Sequence, residues 1–231
     1  MVLTPAITSL IDKVDSFELV RDQVAAILAV ELANQVRIAS ASGRDARSYC
    51  ARVYTERTNP WSDFVDLPDT LENPEHGHPV VNVSFERATY DASASNVVER
   101  QRANATFNID CYAYGVAHDD GGMGHCSGDQ IAVESAQAVV RVVRNILMSG
   151  QWAYLGMRGN VSRRWVNSIQ AFQPAQDGRQ IQQVAALRIE LQVDFNEFSP
   201  QVAGQLLEAI TATVRRDGDG RVYLVAEYGE T

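Results

Sequence analysis

Cysteine is scarce in this chain, with only Cys50, Cys111 and Cys126 present. So small and odd a number cannot form the disulfide framework of a small secreted protein, and it indicates a reducing compartment. Long hydrophobic runs are also absent: the longest purely apolar run, Val24 to Val30, is far shorter than the roughly 20 residues of a membrane-spanning helix. The start, MVLTPAITSLIDKVD, does not place a basic segment before an apolar one as a secretory signal does. We therefore expect a protein that is made in the cytoplasm and has no membrane association.

Positive charge is in short supply. Lysine and arginine together number 20 against 29 aspartate and glutamate residues, which gives a formal net charge of -9. Binding to a nucleic-acid backbone needs a basic face, so this balance argues against a protein that wraps DNA or RNA. It is compatible with DNA that slides past an acidic wall, because repulsion prevents the DNA from sticking.

Nucleotide-binding signatures are missing as well. Gly121, Gly122 and Gly124 precede a predicted helix, but neither the Walker pattern with its lysine nor a GxGxxG motif after a strand is present. The neighbouring Asp119 and Asp120 would repel phosphate. The glycines therefore indicate a flexible connection into the helix.

Histidine and cysteine residues in two loops keep a metal site open as an alternative. The loops could together form a His/Cys site, but no spacing matches a specific zinc signature, and solvated loop histidines are the default. We expect no metal, no cofactor and no catalytic residue. The alternative is a metal-dependent enzyme that uses His76, His78, His118, His125 and Cys126.

The most informative segment is Gln180–Phe195, in which the odd positions are apolar and the even positions from Arg188 onward are polar. A period of two predicts a strand with one apolar and one polar face. At about 3.3 Å per residue it spans roughly 50 Å, longer than most strands. We expect it to bend, bulge or project from its domain and to build a wall shared with copies of the chain. With Val161–Phe172 and a turn at Pro174 to Gly178, it forms a long antiparallel hairpin.

Apolar residues at helical spacing and capping signals predict four helices. Glu18 follows Asp15 as a capping box, and Ser127 with Gln130 forms a second one. The predicted helices are Pro5–Val14, Asp15 to about Asn34, Ser127 to Gly150, and Ser199 to about Val214.

The remaining predicted strands are short or of ordinary length. Phe107, Ile109 and Cys111 alternate with polar residues, and Cys111 is expected to act as a small apolar filler. The predicted strands are Arg52–Thr58, Val80–Tyr90, Ala105–Ala117 and Val222–Glu227, with loops at Asn59–Pro79 and Asp91–Asn104.

This order of elements predicts an α+β fold, with helices packed on one face of an antiparallel sheet that includes the long hairpin. We expect a single domain over residues 1–231, with N-terminal helices at about 5–34 and the extended hairpin at about 161–195.

Arginine, tryptophan and acidic residues on the hairpin and in the loop Asp91–Asn104 suggest an interface, since arginine and tryptophan are frequent interface anchors. Glu190 and Asp194 are expected on the outer face of their strand, solvated or paired between subunits. The full predicted set is Arg100, Arg102, Arg163, Arg164, Trp165, Arg188, Glu190 and Asp194.

Three segments carry a resemblance to a known group of proteins. They are SNVVERQRANATFNIDCYAYG (95–115), AQAVVRVVRNILMSGQWAYLGM (136–157), and RRWVNSIQAFQP (163–174) followed by LRIELQVDFNEFSPQ (187–201). Together they resemble structural proteins of tailed bacteriophages. The layout of helix, antiparallel strands, long hairpin and second helix resembles tail terminator and neck proteins.

The resemblance implies a virion protein without catalytic residues. Proteins of this kind form rings, commonly sixfold, that cap the tail tube and dock it to the head. We therefore expect a homo-oligomer, a hexameric ring at the head-tail junction, that contacts tail tube and neck or connector proteins while DNA passes through without specific binding. The N-terminal helices and the loop Asn59–Pro79, which contains four prolines, have no counterpart in a minimal terminator, so a tube or baseplate subunit is the alternative.

Overall fold

The computed structural model describes residues 10–64, 77–93, 100–119, 124–172, 174, 184–198, 209–215 and 222–229. Contacts group the chain into two compact units, Val14–Phe198 and Met1–Lys13 with Ser199–Thr231. The expectation of one domain over residues 1–231 stays a prediction.

The described residues include two α-helices and nine strands. The helices are α1, Ser16–Ala41, and α2, Gly128–Leu147, and short 3-10 helices lie at Arg47–Tyr49, Pro60–Phe64 and Gly150–Trp152. The strands are β1 (Arg52–Thr55), β2 (Val80–Tyr90), β3 (Arg100–Tyr114), β4 (His118–Asp119), β5 (His125–Cys126), β6 (Val161–Phe172), β7 (Val184–Phe198), β8 (Ala209–Arg215) and β9 (Val222–Gly229).

Five strands form one mixed sheet in the order β1-β2-β3-β7-β6. Only β1 and β2 are parallel, and every other neighbouring pair is antiparallel. The strands β4 and β5 form a separate two-residue ladder, and β8 pairs with β9 in the other unit. The predicted α+β fold and the hairpin of β6 and β7 are confirmed.

The helices α1 and α2 cover one face of the five-stranded sheet. Alternate residues of β3, including Phe107, Ile109 and Cys111, are fully buried there, and burial raises the pKa of the Cys111 thiol. Cys111 therefore packs as a small apolar residue, as predicted. The buried core also includes Val20, Val24, Leu28 and Leu32 of α1, Val139, Val143 and Leu147 of α2, and Ile189, Leu191 and Val193 of β7.

The ends of α1 differ from the prediction. Its first backbone N–H, that of Ser16, donates to Oε2 of Glu197 in β7 at 2.8 Å, while the Asp15 side chain forms no capping bond. A distant carboxylate thus takes the place of the predicted capping box. The helix continues beyond Asn34 to Ala41, and Gly43 with a φ of 66° follows its end. Glycine adopts this left-handed conformation at little cost, so it provides the stop signal.

Two predicted helical regions are not helical where the structure describes them. Residues 10–15 lie outside any helix, so the prediction of a helix over Pro5–Val14 is wrong for the described part of that segment. Residues 209–215, predicted as the end of a helix, form β8 instead. The sequence AITATVR is rich in β-branched residues, and its pairing with β9 favours the strand.

The long strand does not project from the sheet. Over Val184–Phe198 it pairs with β3 on one side and β6 on the other, and its register with β6 shifts at Val161/Arg163 and Val166/Ser168. The expected wall shared with other copies stays a prediction. The strand β3 starts at Arg100 rather than Ala105, because residues 100–104 pair with the end of β7. Arg100 and Arg102 therefore belong to a strand and not to the predicted loop.

Among the described residues, α1 is long and apolar enough to cross a membrane by length and composition alone. Core helices of soluble proteins meet the same criteria. Val20, Val24 and Leu28 of this helix are buried against the protein's own sheet. The expected lack of membrane association stays a prediction.

Candidate functional site: the polar face of the sheet

The strand register gathers most of the predicted interface residues on the face of the sheet opposite the two helices. Residues that are paired across neighbouring strands point to the same side. Asn104 is opposite Asp194, which is opposite Arg163, and Asp110 is opposite Arg188. We call this side the polar face. It carries Arg100, Arg102, Arg163, Trp165, Arg188, Glu190 and Asp194.

Arg164 is the exception, because it pairs with the core residue Val193. Its Nη2 donates to the backbone carbonyl of Ser149 at 2.7 Å. Burial lowers the pKa of this guanidinium, and within the described residues its Nε has no hydrogen-bond partner. Arg164 thus anchors β6 to the segment after α2 and lies apart from the other predicted residues.

Asp194 is the centre of a cluster on the polar face. Its side chain is only 7% exposed. Nε and Nη2 of Arg163 lie 3.0 and 2.9 Å from Oδ2, and Nη2 of Arg102 lies 3.4 Å from the same oxygen. Asn104 donates to Oδ1 at 2.6 Å. The prediction of a solvated or intersubunit carboxylate is therefore wrong for Asp194, since its partners lie in the same chain.

The arginines around Asp194 are open to solvent although the carboxylate is not. The side chains of Arg102 and Arg163 are 60% and 66% exposed. Arg163 stacks over the ring of Trp165 at 4.4 Å, and Arg100 donates to Oδ1 of Asn196 at 3.0 Å. Three arginines and one aspartate leave this group with a net charge of about +2 on a chain of net charge -9. We call Arg100, Arg102, Arg163 and Trp165 the arginine patch.

Arg188 has a structural partner in the middle of the polar face. Its Nε and Nη2 lie 2.7 and 2.9 Å from the two carboxylate oxygens of Asp110, a bidentate pair. The hydrogen bond to Asp110 raises the pKa of Arg188. Tyr112 donates to the same carboxylate at 3.3 Å, and burial, with the charge of Asp110, raises the pKa of Tyr112. These contacts join β3 to β7 on the polar face.

Glu190 is bound within the hairpin. Nδ2 of Asn167 on β6 donates to its carboxylate at 2.8 Å. Hydrogen bonds from Asn167 and Ser168 lower the pKa of Glu190. The side chain thus bridges the two strands of the hairpin that the sequence predicted.

The proposed metal ligands are not gathered into a site by the part of the chain that the structure describes. His118 lies opposite Cys126 in the β4–β5 ladder, and Nδ1 of His125 lies 3.3 Å from a carboxylate oxygen of Asp119. Among the described residues no group of three or more histidine, cysteine or acidic side chains is placed to hold an ion. His76 lies outside the described residues.

A cleft of about 450 Å³ lies between α1 and α2 and was not anticipated from the sequence. Trp152 donates through Nε1 to Oε1 of Glu31 at 3.0 Å, and Asn34 donates to Oε2 at 3.4 Å. Arg141 and Tyr49 line other parts of it. None of the predicted interface residues lines this cleft.

No protein-family model matches this sequence. No curated protein matches it either. The resemblance to tailed-bacteriophage proteins stays a prediction.

Proposed function

We propose that this chain is a non-enzymatic structural subunit that assembles with copies of itself into a ring, and that the ring is the tail terminator or neck of a tailed bacteriophage. The main support for this assembly is that β6 lies at the edge of the sheet. The place in the particle rests on the sequence resemblance, and a tube or baseplate subunit is the alternative.

The strand β6 is a long sheet edge of a kind that pairs readily with another chain. It runs for 12 residues, and no described strand pairs with it on the side away from β7. Natural proteins protect such edges with charges, proline or β-bulges. The register of β6 against β7 shifts at Val161/Arg163 and Val166/Ser168. Beyond both shifts, Ser168–Phe172 contains neither a charge nor a proline. Ile169 in this segment is 42% exposed.

The opposite edge of the sheet is β1, which is much shorter. Contacts between two different edges are heterologous, and heterologous contacts generate a closed ring or an open filament according to the rotation between copies. A terminator requires closure, whereas a tube requires stacking. The net charge of -9 suits a ring whose wall lets DNA pass without binding.

The assembly is tested with a matched pair of surface substitutions. Ile169→Lys places a charge on the β6 edge, and Val133→Lys places the same charge on the outer side of α2, where Val133 is 41% exposed. We expect the wild-type chain and Val133→Lys to form oligomers in light scattering and rings in negative-stain microscopy. Ile169→Lys should shift the mass toward the monomer, because a charge on an edge strand opposes pairing.

A wild-type chain that stays monomeric at high concentration and fails to attach to purified tail tubes would overturn the proposal. Open stacks in place of closed rings would favour the tube alternative. Attachment of one ring at the end of a tail tube is the result expected of a terminator.

A further inference from the structure

We infer that the arginine patch docks an acidic segment of a second copy of this chain. The inference rests on the proposed function, because it names the partner surface within the ring. It concerns the end of the polar face that carries Arg100, Arg102 and Arg163, away from the β6 edge residues around Ile169.

The patch is held in place before any partner arrives. Arg102 and Arg163 both contact Oδ2 of Asp194, so one buried carboxylate fixes two guanidinium groups side by side. Asn104 donates to the other oxygen of Asp194, and the guanidinium of Arg163 stacks on the ring of Trp165. Side chains that are already ordered lose less entropy on binding, so this arrangement favours association.

The patch has more cationic charge than Asp194 neutralises. A guanidinium carries several N–H donors in a planar fork, which suits bidentate binding of anionic oxygens. Both Arg102 and Arg163 are more than half exposed, and Arg100 is exposed beside them. The outward donors of neighbouring guanidiniums can therefore share a carboxylate of a partner.

Charge complementarity favours a second copy as that partner. The chain has 29 acidic against 20 basic residues, so every neighbouring copy brings an excess of carboxylates. A nucleic acid carries a negative charge at every phosphate and no basic groups, whereas a second copy offsets its carboxylates with 20 basic residues. An acidic protein segment is thus the occupant that the charges favour.

The test measures self-association of four variants by sedimentation at low and high salt, with thermal melting to check folding. Arg102→Gln and Arg163→Gln remove a patch charge, Asp194→Asn adds one, and Arg44→Gln removes an exposed arginine elsewhere. We expect Arg102→Gln and Arg163→Gln each to raise the dissociation constant about tenfold at low salt. Asp194→Asn removes the carboxylate that orders the two guanidiniums but leaves their charges, so it should weaken association less than either patch variant does, and Arg44→Gln should match the wild type.

Different failures have different meanings. Oligomers that form equally well in all variants would overturn the inference and leave the proposed ring standing. Equal weakening by Asp194→Asn and the two patch variants would also overturn it, since the cluster would then serve only the fold. A monomeric wild type would overturn both proposals. Binding of a labelled DNA oligonucleotide that depends on Arg102 and Arg163, with self-association unchanged, would assign the patch to nucleic acid instead.

Discussion

The two faces of the five-stranded sheet are built on opposite principles. The face under α1 and α2 is apolar, and its stability comes from burial of side chains such as Phe107 and Leu191. The polar face is also buried in part, since Asp110 and Asp194 are almost fully covered. Ion pairs and hydrogen bonds with arginines compensate the burial of these two carboxylates. Burial of the apolar face specifies the register, because a shift of one residue would turn its side chains to the other side. A bidentate ion pair also requires one register, so the polar face reinforces the same strand pairing.

Adjacent residues of β3 give the sharpest contrast between the faces. Phe107→Ala should lower the free energy of unfolding by about 3–5 kcal/mol, because it opens a cavity under the helices. Asn108→Ala should cost less than about 1 kcal/mol, since Oδ1 of Asn108 is buried without a hydrogen-bond partner among the described residues. Urea unfolding followed by circular dichroism measures both. Equal losses would show that the faces contribute alike.

The end of β3 tests how closely a helix approaches the sheet. A Cβ atom on Gly115 would overlap the carbonyl oxygen of Gly128 at the start of α2. Gly115→Ala should therefore destabilise the fold by about 1–3 kcal/mol. Gly150→Ala is the control, because its Cβ would meet nothing within 4 Å. If thermal melting gives both variants the wild-type temperature, the helix is less tightly packed than described.

The ion pair on the polar face is tested by a double-mutant cycle. Asp110→Asn should cost about 1–3 kcal/mol, since it leaves the partly buried Arg188 without its charged partner. Arg188→Met in that background should recover part of the loss, with a coupling of about 1–2 kcal/mol. The exposed pair of Arg47 and Asp45 should show no measurable coupling. Strict additivity at Asp110 and Arg188 would contradict a structural pair.

The smallest expected effect is a dependence on acidic pH. Burial opposes ionisation of Asp63, but hydrogen bonds from Arg57 and Tyr54 lower its pKa below the ordinary value. Because the folded-state pKa is the lower one, the stabilisation is complete above the unfolded-state pKa and is lost as the pH falls through the folded-state pKa. Below about pH 4 the wild type should therefore lose more stability than Asp63→Asn. Parallel curves of unfolding free energy against pH for the two proteins would refute this.

Local patterns predicted the elements where one signal dominated. The bounds of Val80–Tyr90 and Val161–Phe172 agree with the structure, and α2 starts where Ser127 indicated. The prediction was wrong at residues 209–215, where helical spacing and β-branched residues compete and pairing with β9 decides.

The candidate site was predicted in composition but not in arrangement. The residues Arg102, Arg163 and Asp194 were singled out, but their mutual contacts were not, and the role of Asn104 was missed. Alternation placed Asp110 on a polar side, which was the available signal for its pairing with Arg188. Position along a strand does not identify the residue across from it, because that depends on register.

By itself the sequence determined the α+β class, the two-sided character of β3 and β7, and the identity of the charged residues. These follow from alternation and helical spacing, which are properties of neighbours along the chain. Only the tertiary structure decided that the long strand lies inside the sheet, that Glu197 caps α1, and that Asp194 joins two arginines. Arg102 and Asp194 are 92 residues apart, and contacts at such separation depend on which strands pair and in which register.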